Sequence, residues 1–313
     1  MIIDFELGGY QVRLAEHNNR PLISWPVNPF TTFVVQSADL SDCPADCRAD
    51  RPADIHVTVT LVRTLPDFPD RLLRFDACRG LWALYESPSG YMLEALDTQT
   101  SAPRSRSLID ASFSRIHTWI TEQTFEETCG WSPVQILNPL VEVCLVTRLA
   151  RDGGALLHAA GILTPAGGVA FSGPSGAGKS TLSGLYADRG STVLSDERTI
   201  LRRYPHGIML HGTPWVGSGR FAANDSGPLS RLYCIRHGQD RHAVTPLSPP
   251  ALFRFLLGQC VLPLWDREGL EGALSFLSEL VERVGGAELA FLNTPDIVDY
   301  LEADGAPLSM VAR

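Results

Sequence analysis

The chain has 313 residues, 44% of them apolar, enough to bury a core in one large domain or two moderate ones. Its 35 acidic against 26 basic residues leave a net charge of −9 with no dense Lys/Arg run, which argues against nucleic acid as a partner. Residues 1–10 carry acids where a signal peptide needs bases, and no run of about 18 apolar residues follows, so a cytoplasmic protein without a membrane partner is expected.

The first half reads as β-rich. Ile3, Phe5 and Leu7, then Tyr10, Val12 and Leu14, then Ile55, Val57, Val59 and Leu61 alternate with polar residues, the period of strands with one wet face. Residues 82–85 and 91–96 flank Ser87-Pro88-Ser89-Gly90, a turn signal that predicts a hairpin. Between residues 37 and 53 the chain is rich in Asp, Ala and Pro and reads as a solvated loop. Its Cys43 and Cys47 leave half of a metal site or a disulfide as the alternative, although no second Cys/His pair of ligand spacing follows. The cysteines total seven, and Cys144 and Cys260 stand singly in apolar runs as reduced core thiols. A polar segment, 98–107, precedes a predicted helix over 109–122, and the weak pattern at 129–135 marks a junction between domains 1–130 and 131–313.

Asn138-Pro139 reads as an N-cap with proline at the first helical position, opening a buried helix over 140–149 that stops at Asp152-Gly153-Gly154. Residues 155–163 and 168–172 predict two strands joined by a tight turn. Beyond them the pattern predicts a helix over 181–189, a strand over 192–194, a strand pair at 199–203 and 207–210, and a strand over 229–235. Amphipathic helices over 249–261 and 270–284, a strand over 287–292 and a short helix capped at Thr294-Pro295-Asp296 complete the chain. The stripe at 270–284 does not distinguish a homo-oligomer interface from a core face, the commoner use of such a stripe. The fold class expected is α/β, of mixed α+β character.

Gly173, Pro174, Ser175, Gly176, Ala177, Gly178, Lys179 and Ser180 match G-x-x-x-x-G-K-[ST], with an apolar strand before them and a helix opening at Thr181. Glycines at 173, 176 and 178 let the backbone wrap a triphosphate so that N–H groups and the helix N-terminus face its oxygens. Lys179 is then assigned to the β and γ phosphates and Ser180 to Mg²⁺, with ATP as the expected nucleotide and GTP as the alternative. The competing reading is a glycine-rich turn that matches by chance. After the next strand stand Asp196 and Glu197, placed as Walker-B-type acids: metal ligand and base, in an order the residues alone leave open.

Leu157-His158-Ala159, the P-loop, Gly190 and Ser195-Asp196-Glu197-Arg198 together resemble the HPr kinase/phosphorylase family and its relative phosphoenolpyruvate carboxykinase, over about residues 138–300. His211-Gly212-Thr213-Pro214-Trp215 and Pro228-Leu229 are similar to HPr-kinase-related proteins of bacterial biosynthesis clusters, among them the lasso-peptide serine kinases. The resemblance implies an HPr-kinase-like P-loop domain, a β-rich N-terminal domain that recognises substrate or partner, and His158 near the γ-phosphate. Without it, His158 reads as a core histidine. Two departures stand out: Glu197 where the family has Asp, and Ala159 where it has Gly.

Residues 212–220 form a glycine-rich stretch holding an aromatic and a cation, so His211, Trp215, Arg220 and Arg231 are candidates for contacting acceptor or transferred phosphoryl. An ordinary turn with Trp215 packed on the core is the alternative. The expected activity is ATP-dependent phosphorylation of a hydroxyl in a peptide, a protein or a small metabolite. A carboxykinase-type enzyme and a non-catalytic nucleotide-binding regulator are the other classes this pattern allows.

Overall fold

The computed structural model describes residues 2–16, 28–35, 53–77, 81–97, 100–121 and 136–303. The Cys43/Cys47 loop and the 129–135 junction lie outside the described residues. The fold is α/β, with two large mixed sheets and flanking helices. Two compact units emerge: Met1–Arg148 with Pro263–Arg267, and Leu149–Leu262 with Glu268–Arg313. The division falls within helix α1 (Glu142–Arg151), later than composition suggests. Before that helix, Ile136, Pro139 and Leu140 line a small cavity together with Leu93, Ala95 and Ser105, which draws the segment into the first unit.

In the first unit, β1 (Ile2–Leu7), β2 (Tyr10–Glu16), β3 (Ile55–Val62), β4 (Leu72–Asp76), β5 (Trp82–Ser87), β6 (Gly90–Leu96), β7 (Pro103–Ile109) and β8 (Arg115–Thr121) form an eight-stranded sheet in the order β1-β2-β3-β8-β7-β6-β5-β4. The expected hairpin is present: β5 and β6 pair antiparallel from Trp82↔Ala95 to Ser87↔Gly90. The helix expected over 109–122 is instead the end of β7, a turn and β8. Asp110 accepts bonds from the Ser114 and Arg115 amides at 2.8 and 2.9 Å, which closes the turn and competes with a helical path. Beyond it Ile116, Thr118 and Ile120 alternate inward, the period of a strand. Part of the polar 98–107 segment is strand as well, and its buried Ser107 hydroxyl is satisfied by Thr118.

Asn138 keeps extended dihedrals inside the wide turn Leu137–Val141, and regular α-helix starts only at Glu142, so the proline does not occupy the first helical position expected.

The second unit holds β9 (Gly154–Leu157), β10 (Ala159–Thr164), β11 (Gly167–Ser172), α2 (Lys179–Asp188), β12 (Thr192–Ser195), β13 (Thr199–Tyr204), β14 (Gly207–His211), β15 (Ser226–His237), β16 (Ala243–Pro246), α3 (Pro249–Leu257), β17 (Cys260–Val261), α4 (Arg267–Arg283), β18 (Ala287–Phe291) and α5 (Asp296–Ala303). The run 155–163 is two strands broken at His158. The helix expected to reach residue 261 ends at Leu257, because Cys260 and Val261 pair with Leu157 and Leu156 as an edge strand.

At the centre of this sheet, β11, β15 and β18 run parallel. Their side chains alternate between two cores. Ala170, Leu232 and Cys234 pack with Leu252 and Leu256 of α3 and Phe276 and Leu280 of α4. Phe171, Tyr233 and Leu289 pack with Leu182 and Tyr186 of α2 and with Ile297 of α5. The parallel strands end at Ser172, His237 and Phe291, the carboxyl edge where open α/β sheets place ligand sites. Cys144 and Cys234 are buried free thiols, with Cys260 partly buried. No helix among the described residues is long and apolar enough to cross a membrane.

Candidate active site

The loop after β11 turns sharply into α2. Gly178 precedes the helix at φ 102°, a conformation open to glycine, and an added Cβ would stand 2.5 Å from the Phe291 ring. Gly176 has φ 82° with open space above it, so the cradle mouth is clear. His237, at the end of β15, donates from Nε2 to the Gly176 carbonyl at 2.8 Å and holds the loop tip.

Lys179 is buried, 5% exposed, and its ammonium has three partners: the Gly173 carbonyl at 2.8 Å, the Pro174 carbonyl at 3.2 Å and His158 Nε2 at 2.7 Å. Burial pulls the Lys179 pKa below its ordinary value, against the opposing pull of Glu197 and Asp196.

His158 occupies the break between β9 and β10. Its amide donates to the Gln259 carbonyl at 2.8 Å, and its carbonyl accepts from the Ser172 hydroxyl at 3.0 Å, so the backbone fixes its place. With Nε2 accepting from the ammonium, Nδ1 carries the proton and faces Glu197 Oε1 at 3.3 Å. Burial and then the Lys179 charge lower the His158 pKa, favouring this neutral form, with Glu197 opposing.

The acidic pair sits on a turn that β12 feeds. The buried Ser195 hydroxyl accepts from the amides of Glu197 and Arg198, both at 3.2 Å, and donates to the Trp215 carbonyl at 3.1 Å. That cap sends the two acids to different partners. Asp196, 0% exposed, accepts from Ser180 Oγ at 2.8 Å and Gly219 N at 2.7 Å on Oδ2, and from Gly217 N at 2.8 Å on Oδ1. Glu197 is about a third exposed, at 33%, and faces His158.

The structure therefore brings Lys179, Ser180, Asp196, Glu197 and His158 together. Of the residues offered for acceptor contact, Trp215 and Arg220 lie on the loop that contacts Ser195 and Asp196, while Arg231 and His211 have their partners elsewhere. Arg231 binds the Leu301 carbonyl at 2.8 Å, and its strand position faces Val169, three residues short of the end of β11. His211 is buried on β14 with its ring 5.8 Å from that of Tyr204, and burial followed by Arg202 pushes its pKa down to about 4. Trp215 is buried and gives its carbonyl to Ser195, while Arg220 is exposed at φ 57° on the rim of the loop.

Within the glycine-rich stretch 212–220, sequence reading gave no role to the turn at 217–219. Its two glycine amides cap Asp196, and Ser218 between them donates to Ser180 Oγ at 3.2 Å. An added Cβ at Gly217 or Gly219 would stand 3.0 or 2.8 Å from Asp196 Oδ2, so a side chain at either position would press on this seat. The signal was the Gly-Ser-Gly alternation, which carries no partner information by itself.

Among the described residues no group of three or more His, Cys, Asp and Glu side chains is arranged to hold a metal ion alone. A comparison with protein-family models finds no match, and neither does a comparison with curated proteins.

Proposed function

We propose that this chain is an ATP-dependent, Mg²⁺-requiring kinase that transfers the γ-phosphoryl group to a hydroxyl, in a peptide or protein serine or a serine-like metabolite. One convergence carries the reading: the strand–loop–helix delivers Lys179 and Ser180 to within hydrogen-bond reach of His158 and Asp196, at 2.7 and 2.8 Å. Kinases of the P-loop kind need this set, a backbone cradle, a lysine, a hydroxyl and an acid on one edge of a sheet.

The residues suit the ion. Ser180 and Asp196 offer hard oxygen ligands, and Mg²⁺ characteristically takes one or two such groups together with substrate phosphates. When bound, the ion neutralises charge on the phosphates.

The roles of the chain's own residues follow from their partners. The loop amides and the α2 N-terminus receive phosphate oxygens over the open face at Gly176. Lys179 exchanges the Gly173 and Pro174 carbonyls for phosphate oxygens while His158 Nε2 continues to hold its ammonium. Glu197, partly exposed and bonded to a neutral imidazole, is the acid able to meet an incoming hydroxyl and accept its proton.

Phosphoryl transfer from γ-labelled ATP to serine-containing peptides and small hydroxyl compounds tests the assignment. Lys179→Ala is expected to lower the rate by about a hundredfold to a thousandfold, the usual scale for losing one charge-stabilising donor. Transfer at an unchanged rate sinks it.

A further inference from the structure

We propose that Ser218 is a phosphoryl acceptor within the chain itself, so that the protein modifies its own 217–219 turn in cis. The inference rests on the kinase reading above and adds an acceptor to it.

Ser218 is an exposed hydroxyl that the fold itself presents to the phosphate loop. Its Oγ donates to Ser180 Oγ at 3.2 Å, and Ser180 Oγ donates in turn to Asp196 Oδ2 at 2.8 Å. The turn is seated by design: the amides on both sides of Ser218 bind Asp196 at 2.8 and 2.7 Å, and Cβ atoms at residues 217 and 219 would crowd that carboxylate. Two other hydroxyls nearby are engaged, since Ser195 is buried against the Trp215 carbonyl and Thr213 is buried against the Arg198 carbonyl. Holding a nucleophile beside the reacting group is the main rate advantage available to phosphoryl transfer.

The step balances. Ser218 Oγ forms a bond to the γ-phosphorus of the nucleoside triphosphate, the bond from that phosphorus to the β,γ-bridging oxygen breaks, and the diphosphate leaves with the electron pair. The Ser218 proton passes to solvent, to which its side chain is exposed. The product carries a dianionic group against the Asp196 carboxylate, and like-charge repulsion then lifts the turn from its seat.

The test incubates the full-length chain with γ-³²P-labelled ATP and Mg²⁺ in the absence of any added acceptor. Equilibrium dialysis of ATP and release of ADP are followed in parallel. Phosphate is expected on Ser218 within the tryptic peptide 204–220, at a fractional rate independent of protein concentration. Ser218→Ala abolishes labelling of that peptide, Ser218→Thr keeps it at the same position, and Lys179→Ala removes it. ADP release or transfer to an added serine peptide, with no phosphate on Ser218, overturns the inference and leaves the kinase reading standing. Label on Thr213 or Ser175 instead, or label that persists in Lys179→Ala, also overturns it. Failure to bind ATP removes the kinase reading and the self-transfer with it.

Discussion

Asp196 and Glu197 are neighbours in sequence and opposites in surroundings. Asp196 lies fully buried on the α2 side of the site, its oxygens taken by the Ser180 hydroxyl and by the Gly217 and Gly219 amides. Glu197 lies on the β9 side, open to solvent for a third of its side chain, with His158 as its ionisable partner. The Ser195 hydroxyl divides them by capping the turn through the Glu197 and Arg198 amides. An acidic pair is therefore not one catalytic unit with interchangeable members. One acid is built into a hydrogen-bonded floor, and the other stands partly open to solvent beside His158.

The sharpest test of that division exchanges each acid for its amide. Asp196→Asn is expected to cost about a thousandfold in phosphoryl transfer through loss of charge beside Ser180. It also destabilises the fold by about 1–3 kcal/mol, because the new NH₂ faces donors that are already buried. Thermal melting and Mg²⁺ titration of the nucleotide complex read both effects. Glu197→Gln is expected to cost about a hundredfold in kcat, the scale for losing a general base, with stability and nucleotide affinity unchanged. Equal effects of the two on melting temperature and Mg²⁺ affinity break the comparison.

Next in size is a pH effect confined to the Glu197 side. The His158 pKa is lowered, so the imidazole is neutral near neutrality and protonates only below its ordinary value of 6.5. Protonation ends its acceptance from Lys179 and sets two cations side by side. Transfer therefore falls as pH drops through that lowered pKa, and His158→Gln flattens the acid limb of the kcat profile. A limb that survives the substitution belongs to another group.

The smallest expected effect lies on the Asp196 side. Gly219→Ala sets a Cβ 2.8 Å from Asp196 Oδ2 and is expected to cost about 1–3 kcal/mol of stability by overpacking, measured by denaturant unfolding. No loss at all means that the turn does not hold this seat in solution.

Much of the fold was legible in the chain. Alternation at Ile55, Val57 and Val59 locates a strand, and the turn signal before Gly90 locates a hairpin whose strands pair as expected. The failures have local causes. The turn at Asp110 interrupts what reads as a helix, and edge pairing of Cys260 with Leu157 overrides the helical pattern that leads to it. Strand β4, with Leu72 and Leu73 exposed at 61% and 52%, gave no alternation because its side chains are not sorted into a wet and a dry face. In the first unit, a groove of about 290 Å³ lined by His56, Thr58, Arg115 and His117 gathers residues from separate strands, and no motif announces it.

What the sequence determined by itself is the loop from Gly173 to Ser180 and the acids one helix and one strand later. A cradle made of consecutive backbone amides has to be contiguous in the chain, and the glycines that permit it are visible as letters. Only the tertiary structure decided which acid meets Ser180, that His158 holds Lys179, and that Ser218 returns across 38 positions to the same hydroxyl. Those choices depend on where strand ends and capped turns aim side chains in space, and distances of a few ångströms between residues remote in sequence leave no local pattern to read.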